Sequence, residues 1–334
     1  MRWRVLPGAA LAAWLAASAA APQPRAGALT TLTLFAGTAE GLWRSQDWGR
    51  SWDRVRGRVA AGVRLDEIGA ARSVRPLGAR VWLAADAGVY VSEDFGETWT
   101  ALAATSGARV LLLSRYPEAD LTVFLGTEAG LLRSRDGGRT FSGTGLAGTA
   151  VHRLEWPGPA LVAAGGRGVF VSRDEGVQFA GPGAGLPEGP VGAIAVSSFF
   201  AVDPVLFAAP ASGGVYRSPD GGDTWSAAGL GGERVRDLAW LGPFLYAAGE
   251  TGFYRSTDAG RSWERLSTSP GRPACLLFPL GAGGGPEAFL ATDRGLFHTP
   301  DAGTHWEPAG FAGQEVLEVA TFPPPEASSG TKRR

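Results

Sequence analysis

Lysine is almost missing from this 334-residue chain. Lys332 is the only one, so arginine carries nearly all the positive charge. The formal net charge is −1, which excludes the broad basic field that nucleic-acid binding needs. Cysteine is reduced to Cys275, so no intrachain disulfide can form. Cys275 lies in the apolar run ACLLFPL, the setting of a buried, inert thiol. Charged residues are scarce at 19% and hydrophobic ones make up 45%, a globular composition and not a disordered one. Beyond the first twenty residues no apolar run is long enough to cross a bilayer, so stable membrane insertion is not expected.

What the chain has in excess is punctuation. Its 50 glycines and 23 prolines follow no collagen period, so it turns often. The start, MRWRVLPGAALAAWLAASAAAPQPRAG, pairs Arg2 and Arg4 with an apolar run from Val5 to Ala17 and small residues at Ala17, Ser18 and Ala19. That pattern predicts a signal peptide over 1–19 and a linker over 20–29, and hence a periplasmic or secreted protein. The alternative is an uncleaved anchor, but the run is short and Pro7 and Gly8 interrupt it. A lipoprotein anchor is excluded because the segment holds no cysteine.

One octapeptide recurs seven times: SQDWGRSW, SEDFGETW, SRDGGRTF, SRDEGVQF, SPDGGDTW, STDAGRSW and TPDAGTHW. Its aspartates are Asp47, Asp94, Asp136, Asp174, Asp220, Asp258 and Asp301, spaced 47, 42, 38, 46, 38 and 43 residues apart. Roughly 40–45 residues hold four short strands with their turns, the length of one propeller blade. A glycine stands four residues before each opening Ser or Thr, and a large apolar residue such as Trp43, Tyr90 or Phe297 follows it by two. Before that glycine comes an apolar run such as VWLAAD or FLYAAG, and earlier still another, such as ARVLLLS or VRDLAW. Each unit therefore reads as four strands, A to D, with the octapeptide between C and D. The fold class is all-β: a seven-bladed propeller over 30–324 and a disordered tail over 325–334. The first unit starts at strand B, whereas EVLEVATFPP after the last octapeptide belongs to no unit. This orphan strand is predicted to supply the missing A position and close the ring, leaving no open edge.

In the octapeptide, the glycine permits positive φ and the aspartate can accept backbone N–H bonds. The hydroxyls bond the same turn, and the final Trp or Phe is expected to pack beside the next blade. Gln178 and His305 replace the second hydroxyl in two copies, which read as degenerate. A calcium loop needs several oxygen ligands over a dozen residues. One carboxylate among Trp, Phe, Arg and Gly does not meet that need, so neither metal nor cofactor is expected.

The motif S-x-D-x-G-x-T-W resembles the Asp-box, or BNR, repeat of sialidases, sortilin-type receptors, xyloglucan-cleaving glycosidases and photosystem II assembly factors. The fuller unit looks most like the assembly-factor type of bacterial propeller. The resemblance covers almost all of the chain after its predicted leader, and it implies the fold far more specifically than any activity. A sialidase-like site would use a Tyr–Glu nucleophile and an arginine triad. Tyr90, Tyr216 and Tyr254 occupy the repeated strand C position, Tyr246 lies in strand B, and only Tyr116 lies in a connection, so such a nucleophile is hard to place. A glycosidase needs two acids roughly 5–10 Å apart. The weak catalytic candidates are the acids of the B–C turns: Glu40, Asp86, Glu128, Glu250 and Asp293. Among the histidines only His152 stands where it could face a central pocket.

The leading ends of the A strands and their loops carry Arg72, Arg75, Arg109, His152, Arg153, Arg234 and Arg236, and the first interblade stretch adds Arg54, Arg56, Arg58 and Arg64. Arginines gathered on one face suit carboxylates or an acidic protein segment. Assembly factors of the resembled type imply the same, a protein partner engaged through a basic patch. The expected function is a monomeric, non-catalytic binding or assembly module for a protein or peptide. The alternative is a carbohydrate-active enzyme using paired carboxylates on the same face, with a glycan as ligand.

Overall fold

The computed structural model describes residues 33–56, 69–77, 80–103, 105, 107–114, 121–157, 160–197, 200–279 and 287–321, and contains no helix among them. The predicted signal peptide, linker and tail, and Arg58, Arg64 and Tyr116, lie outside the described residues. Seven separate antiparallel sheets form, one per octapeptide.

Blade 1 holds β1 (Leu34–Thr38), β2 (Gly41–Ser45) and β3 (Asp53–Arg54), with β27 (Val316–Thr321) from the far end of the chain. Blade 2 is β4 (Ala71–Leu77), β5 (Arg80–Ala85), β6 (Gly88–Ser92) and β7 (Thr100–Ala103). Blade 3 is β8 (Ala108–Leu113), β9 (Val123–Thr127), β10 (Gly130–Ser134) and β11 (Ser142–Ala147). Blade 4 is β12 (Val151–Glu155), β13 (Leu161–Gly165) and β14 (Gly168–Ser172). Blade 5 is β15 (Val191–Val196), β16 (Leu206–Pro210), β17 (Tyr216–Ser218) and β18 (Ser226–Ala227). Blade 6 is β19 (Val235–Leu241), β20 (Phe244–Gly249), β21 (Gly252–Ser256) and β22 (Glu264–Thr268). Blade 7 is β23 (Pro273–Leu277), β24 (Ala288–Thr292), β25 (Gly295–Thr299) and β26 (Glu307–Gly310).

The orphan strand lands where the repeat count places it. β27 pairs antiparallel with β1, Phe35 opposite Ala320 and Ala36 opposite Val319. The inner strands then neighbour one another in the order β27, β4, β8, β12, β15, β19, β23 and back to β27, so the ring is closed. Blade 4 departs from the pattern. Its fourth strand shrinks to one bridge, Val171 to Ala180. The prolines at 182, 187 and 190 lack the N–H that a ladder needs. The segment crosses instead to blade 5, where the Ala184 N–H donates to the Asp223 carbonyl at 3.0 Å and Ala184 accepts from the Trp225 N–H at 2.8 Å.

The octapeptide turns are near-identical clasps. In blade 2, Ser92 donates to Asp94 Oδ1 at 2.8 Å, while the Gly96 N–H donates back to Ser92 Oγ at 2.7 Å. Asp94 also accepts from the Thr98 N–H at 2.8 Å and the Thr98 hydroxyl at 2.6 Å. The substituted copies differ in an informative way. Gln178 contributes only its backbone N–H to Asp174, at 2.9 Å. His305 supplies both its N–H, at 2.9 Å, and its Nδ1, at 2.6 Å from Asp301 Oδ2, so this copy keeps a full set of bonds and is not degenerate. Positive φ is needed at the residue before the glycine as well: Trp48, Phe95, Glu175, Ala259 and Ala302 all adopt it, between 56° and 64°.

These bonds hold the carboxylates ionised. The Ser51, Thr224 and Ser262 hydroxyls bring Asp47, Asp220 and Asp258 down to about 2, and Thr140 lowers Asp136 in the same way. At Asp94 burial pulls upward, yet the Thr98 bonds keep the group below its ordinary value. A lowered folded-state pKa contributes stability that is complete above the ordinary value of 3.8 and lost as pH falls through about 2. The melting temperature should therefore hold steady from neutrality to about pH 4 and fall steeply toward about pH 2. A melting temperature that stays level through that acid range would show that the clasps contribute nothing.

The core lies between blades. Each octapeptide's aromatic residue packs against the preceding blade and not the next one. Trp99 of blade 2 joins Phe35 and Leu42 of blade 1, and Trp225 of blade 5 joins Val162 and Val169 of blade 4. The Trp52 indole donates across the ring closure to the Ala309 carbonyl of blade 7 at 2.8 Å. Blade-to-blade ion pairs reinforce this contact: Arg44 reaches Glu97 at 2.6 Å and Arg133 reaches Glu175 Oε2 at 3.3 Å.

Candidate functional site

Every inner strand begins with the same irregularity. The register with strand B shifts between the first and third residues, as at Ala71/Ser73, Ala108/Val110 and Val235/Asp237. Such a bulge leaves its middle residue unpaired and re-aims its side chain. The residues so released include Arg72, Arg109, His152 and Arg236. All four were candidate binding residues, and each meets a candidate catalytic acid. Arg72 Nε lies 2.8 Å from Asp86 Oδ1, and Arg109 Nε lies 2.6 Å from Glu128 Oε1. His152 Nε2 lies 3.5 Å from the other oxygen of Glu128, and Arg236 Nε lies 2.8 Å from Glu250. In blade 7, Arg272 Nε stands 3.7 Å from Asp293.

Four of the candidate binding residues and three of the candidate acids therefore face one another in pairs. The acids also fasten the loop that enters their blade: Asp86 accepts from the Ala70 N–H at 3.2 Å and Asp293 from the Arg272 N–H at 2.8 Å. Burial raises the carboxyl pKa of Asp86 and Glu128, but the arginine hydrogen bonds outweigh it and hold both below their ordinary values. Carboxylates held in that form are poor proton donors. Glu40 differs, because Arg54 bonds its backbone carbonyl and its side chain takes no bond among the described residues. On the same face, the exposed guanidiniums of Arg167, Arg234 and Arg294 make no side-chain bond among the described residues.

One tyrosine does meet a glutamate, but in a structural contact. The Tyr254 hydroxyl donates to Glu233 Oε2 at 2.8 Å. Glu233 is buried and also accepts from the Thr251 N–H at 3.0 Å and from the Thr251 hydroxyl. The pair locks an interblade loop onto a B–C turn. Burial, with Glu233 beside it, raises the Tyr254 hydroxyl, which makes it a weaker nucleophile.

Arg75 and Arg153 lie deeper, in a central channel of about 530 Å³. Arg75 pairs with Glu318 of blade 1 and donates to the Val74 carbonyl at 2.9 Å. Arg153 crosses the ring: its Nη1 donates to the His152 carbonyl at 3.2 Å and its Nη2 to the Ala274 carbonyl of blade 7 at 3.1 Å. The third residue of an inner strand often ties the next blade. Ser73 Oγ accepts from the Leu111 N–H at 3.1 Å, and Asp237 Oδ2 accepts from the Leu276 N–H at 2.7 Å. Cys275 sits in this channel, where burial pushes its thiol well above the usual range. Sequence reasoning missed Glu155, Asp237 and Glu318 here. The signal was present, since each follows the apolar start of an A strand by two or four positions, on the face that Arg153 and Arg75 share.

Comparison with solved structures finds this architecture in proteins of differing roles. An ancestral GH74 enzyme superposes with a TM-score of 0.64 at 15% identity, over 85% of this chain and 46% of its own. YCF48 bound to D1 peptide superposes with a TM-score of 0.58 at 16% identity, over 78% of this chain and 85% of its own. The extracellular domain of a one-component system from B. thetaiotaomicron gives 0.63 at 12% identity, over 82% and 39%. This chain spans 46% and 58% of the length of the two GH74 enzymes it matches. No family profile and no curated protein matches its sequence. Likeness at such identity shows the seven-bladed propeller fold alone.

Proposed function

We propose that this chain is an exported Asp-box-type propeller that binds a protein or peptide partner without catalysing a reaction. The binding face is the one formed by the B–C turns and the leading ends of the inner strands. One observation carries this reading: the turn acids of four blades are engaged by arginines of their own blade, while Arg167, Arg234 and Arg294 on the same face remain unengaged. Fixed ion pairs give a rigid surface of alternating sign, and free guanidiniums supply planar donors for carboxylates. YCF48, a propeller of the same architecture, is bound to a D1 peptide, which supports a peptide as the ligand class. Cleavage of a glycan by acids of this face is the weaker reading, because it needs a proton donor that these pairs withhold.

The test is binding of the full chain to an acidic peptide. Replacing Arg167, Arg234 and Arg294 together with alanine should weaken capture at least roughly tenfold, and added salt should weaken it further. Arg139→Ala, in a turn on the opposite face, should change nothing. Equal binding by both variants would remove the face from consideration. Glycan turnover that disappears in Glu128→Gln or Asp293→Asn would replace binding with catalysis.

A further inference from the structure

The bulged arginines at the channel mouth are not all spent on their turn acids. Arg236 commits both Nε and an Nη to Glu250. Arg72 and Arg109 commit only Nε, to Asp86 and Glu128, and their Nη groups make no bond among the described residues. Both line the central cavity. A guanidinium pinned through Nε keeps its Nη1–Nη2 edge in a set direction, open to a second, two-point partner. The two arginines stand on neighbouring inner strands, and the charge of Arg109 reaches Asp86 as well as Glu128. His152 continues the arc on the next strand, 3.5 Å from Glu128. Arg153 follows it, with its N–H bonds given to carbonyls and none to a carboxylate.

We propose that this mouth binds a carboxylate group, held on the Nη edges of Arg72 and Arg109 with His152 alongside. The inference rests on the proposed function only in taking this face as the one that meets a ligand. The other side of the mouth offers no competing acid, since the equivalent bulged residues of blades 5, 7 and 1 are Gly192, Ala274 and Leu317. Gly192 leaves open space, with nothing within 4 Å of an added Cβ. The carboxylates deeper in the cavity are already served, Glu318 by Arg75 and Asp237 by the N–H groups of Leu238 at 3.0 Å and Leu276 at 2.7 Å. Glu155 is exposed to solvent at the far end of its strand.

The acids behind the two arginines decide which anion fits. Asp86 and Glu128 bond them from the B–C turns and do not line the cavity. They offset much of the guanidinium charge, so the mouth supplies directed N–H donors and little net field. That suits a planar monoanion and disfavours a phosphate dianion, whose second charge would face these acids. The rest of the ligand has an apolar wall in Ile194, Ala274 and Leu317. Two sources can present such a group: a small free acid, or the chain terminus of a protein partner, which enters a recess end-on.

Calorimetry on the full chain tests this, with butyrate as the probe and butylammonium and inorganic phosphate as controls. Butyrate should saturate one site, at least about tenfold more tightly than phosphate, and butylammonium should not bind. Arg109→Gln should weaken butyrate binding at least about tenfold. Gly192→Leu keeps every guanidinium and fills the open side of the mouth, so it should weaken butyrate too. Arg139→Ala, on the opposite face, should change nothing. A second pair of probes, Ac-Ala-Ala-Ala with a free and with an amidated C-terminus, carries no acidic side chain for the rim arginines. Tighter binding of the free-acid peptide than of butyrate assigns the site to a partner's chain terminus, and binding of butyrate alone assigns it to a small free acid. Absence of saturable binding by both carboxylates, or phosphate or the amide binding as tightly as they do, would overturn the proposal. Unchanged butyrate affinity in Gly192→Leu would overturn it as well, even if Arg109→Gln failed to fold. Loss of acidic-peptide capture with butyrate binding intact counts against the rim alone, and the reverse counts against this site alone.

Discussion

A chain ending before β27 should lose the cooperative fold of the whole ring, not merely of blade 1. β27 fills the innermost position of the first blade, and its Val316 and Val319 are fully or nearly buried at 0% and 2% exposure. Each buried valine contributes about 1.5–3 kcal/mol. Their removal also bares Leu34, Ala36, Phe289 and Leu296 in the cluster that joins blades 7 and 1. Arg75 would lose Glu318 and remain a lone cation in the channel. The total approaches the roughly 5–15 kcal/mol that holds a typical domain together. Removing β27 also leaves the inner edge of β1 without its ladder partner. The expected result is a truncated protein that melts at least about 15 °C lower, or that associates through its bare β1 edge. A synthetic peptide spanning residues 313–321 should restore the monomer and most of the melting temperature. The same peptide carrying Glu318→Ala should restore less. A truncated chain that melts within a few degrees of the full one would mean that the ring is held by its other six joints.

The fold was legible because its devices repeat. Seven aspartates at near-constant spacing fix the number of blades, and an A-like strand without a unit fixes the closure. The face of the candidate site was legible too, since arginines and turn acids stand at equivalent positions in several units. Their pairing was not. Whether Arg72 and Asp86 face solvent or each other depends on a one-residue bulge at the start of β4, and a period-two pattern carries no mark of a bulge. The crossing of Arg153 to Ala274 joins residues 121 apart in blades that share no sheet, which only the closed ring brings together. The direction in which the octapeptide tryptophans lean was hidden for a related reason. The motif is local, and the choice between the preceding and following blade is set by the twist of the whole sheet. Blade 4 carries its own mark in the sequence: three prolines interspersed with glycines stand where a fourth strand should be.

The Gly303→Ala substitution should destabilise the protein more than any other single methyl addition within the clasps. Gly303 sits at φ +91°, and a Cβ there would lie 2.1 Å from Phe253 Cε1 and 2.2 Å from its Cδ1. Phe253 cannot yield. It is 1% exposed, its ring stacks on Tyr246 at 5.8 Å, and the Trp306 ring meets its face edge-on at 5.1 Å. Two costs therefore add: about 1–2 kcal/mol for an L-residue in the left-handed region and about 1–3 kcal/mol for overpacking a filled core. Gly148→Ala separates them, because Gly148 also has positive φ, +75°, but nothing lies within 4 Å of its added Cβ. That variant should lose only the backbone share, about 1–2 kcal/mol. Denaturant melts of the two variants should differ by the packing term, and Phe253→Leu should recover part of the loss in Gly303→Ala while destabilising the parent. Such a coupling places the clasp glycine and the preceding blade's aromatic in one unit, which makes each octapeptide a joint between blades as well as a turn within one. Equal losses from Gly303→Ala and Gly148→Ala would confine the glycine's role to its backbone angle.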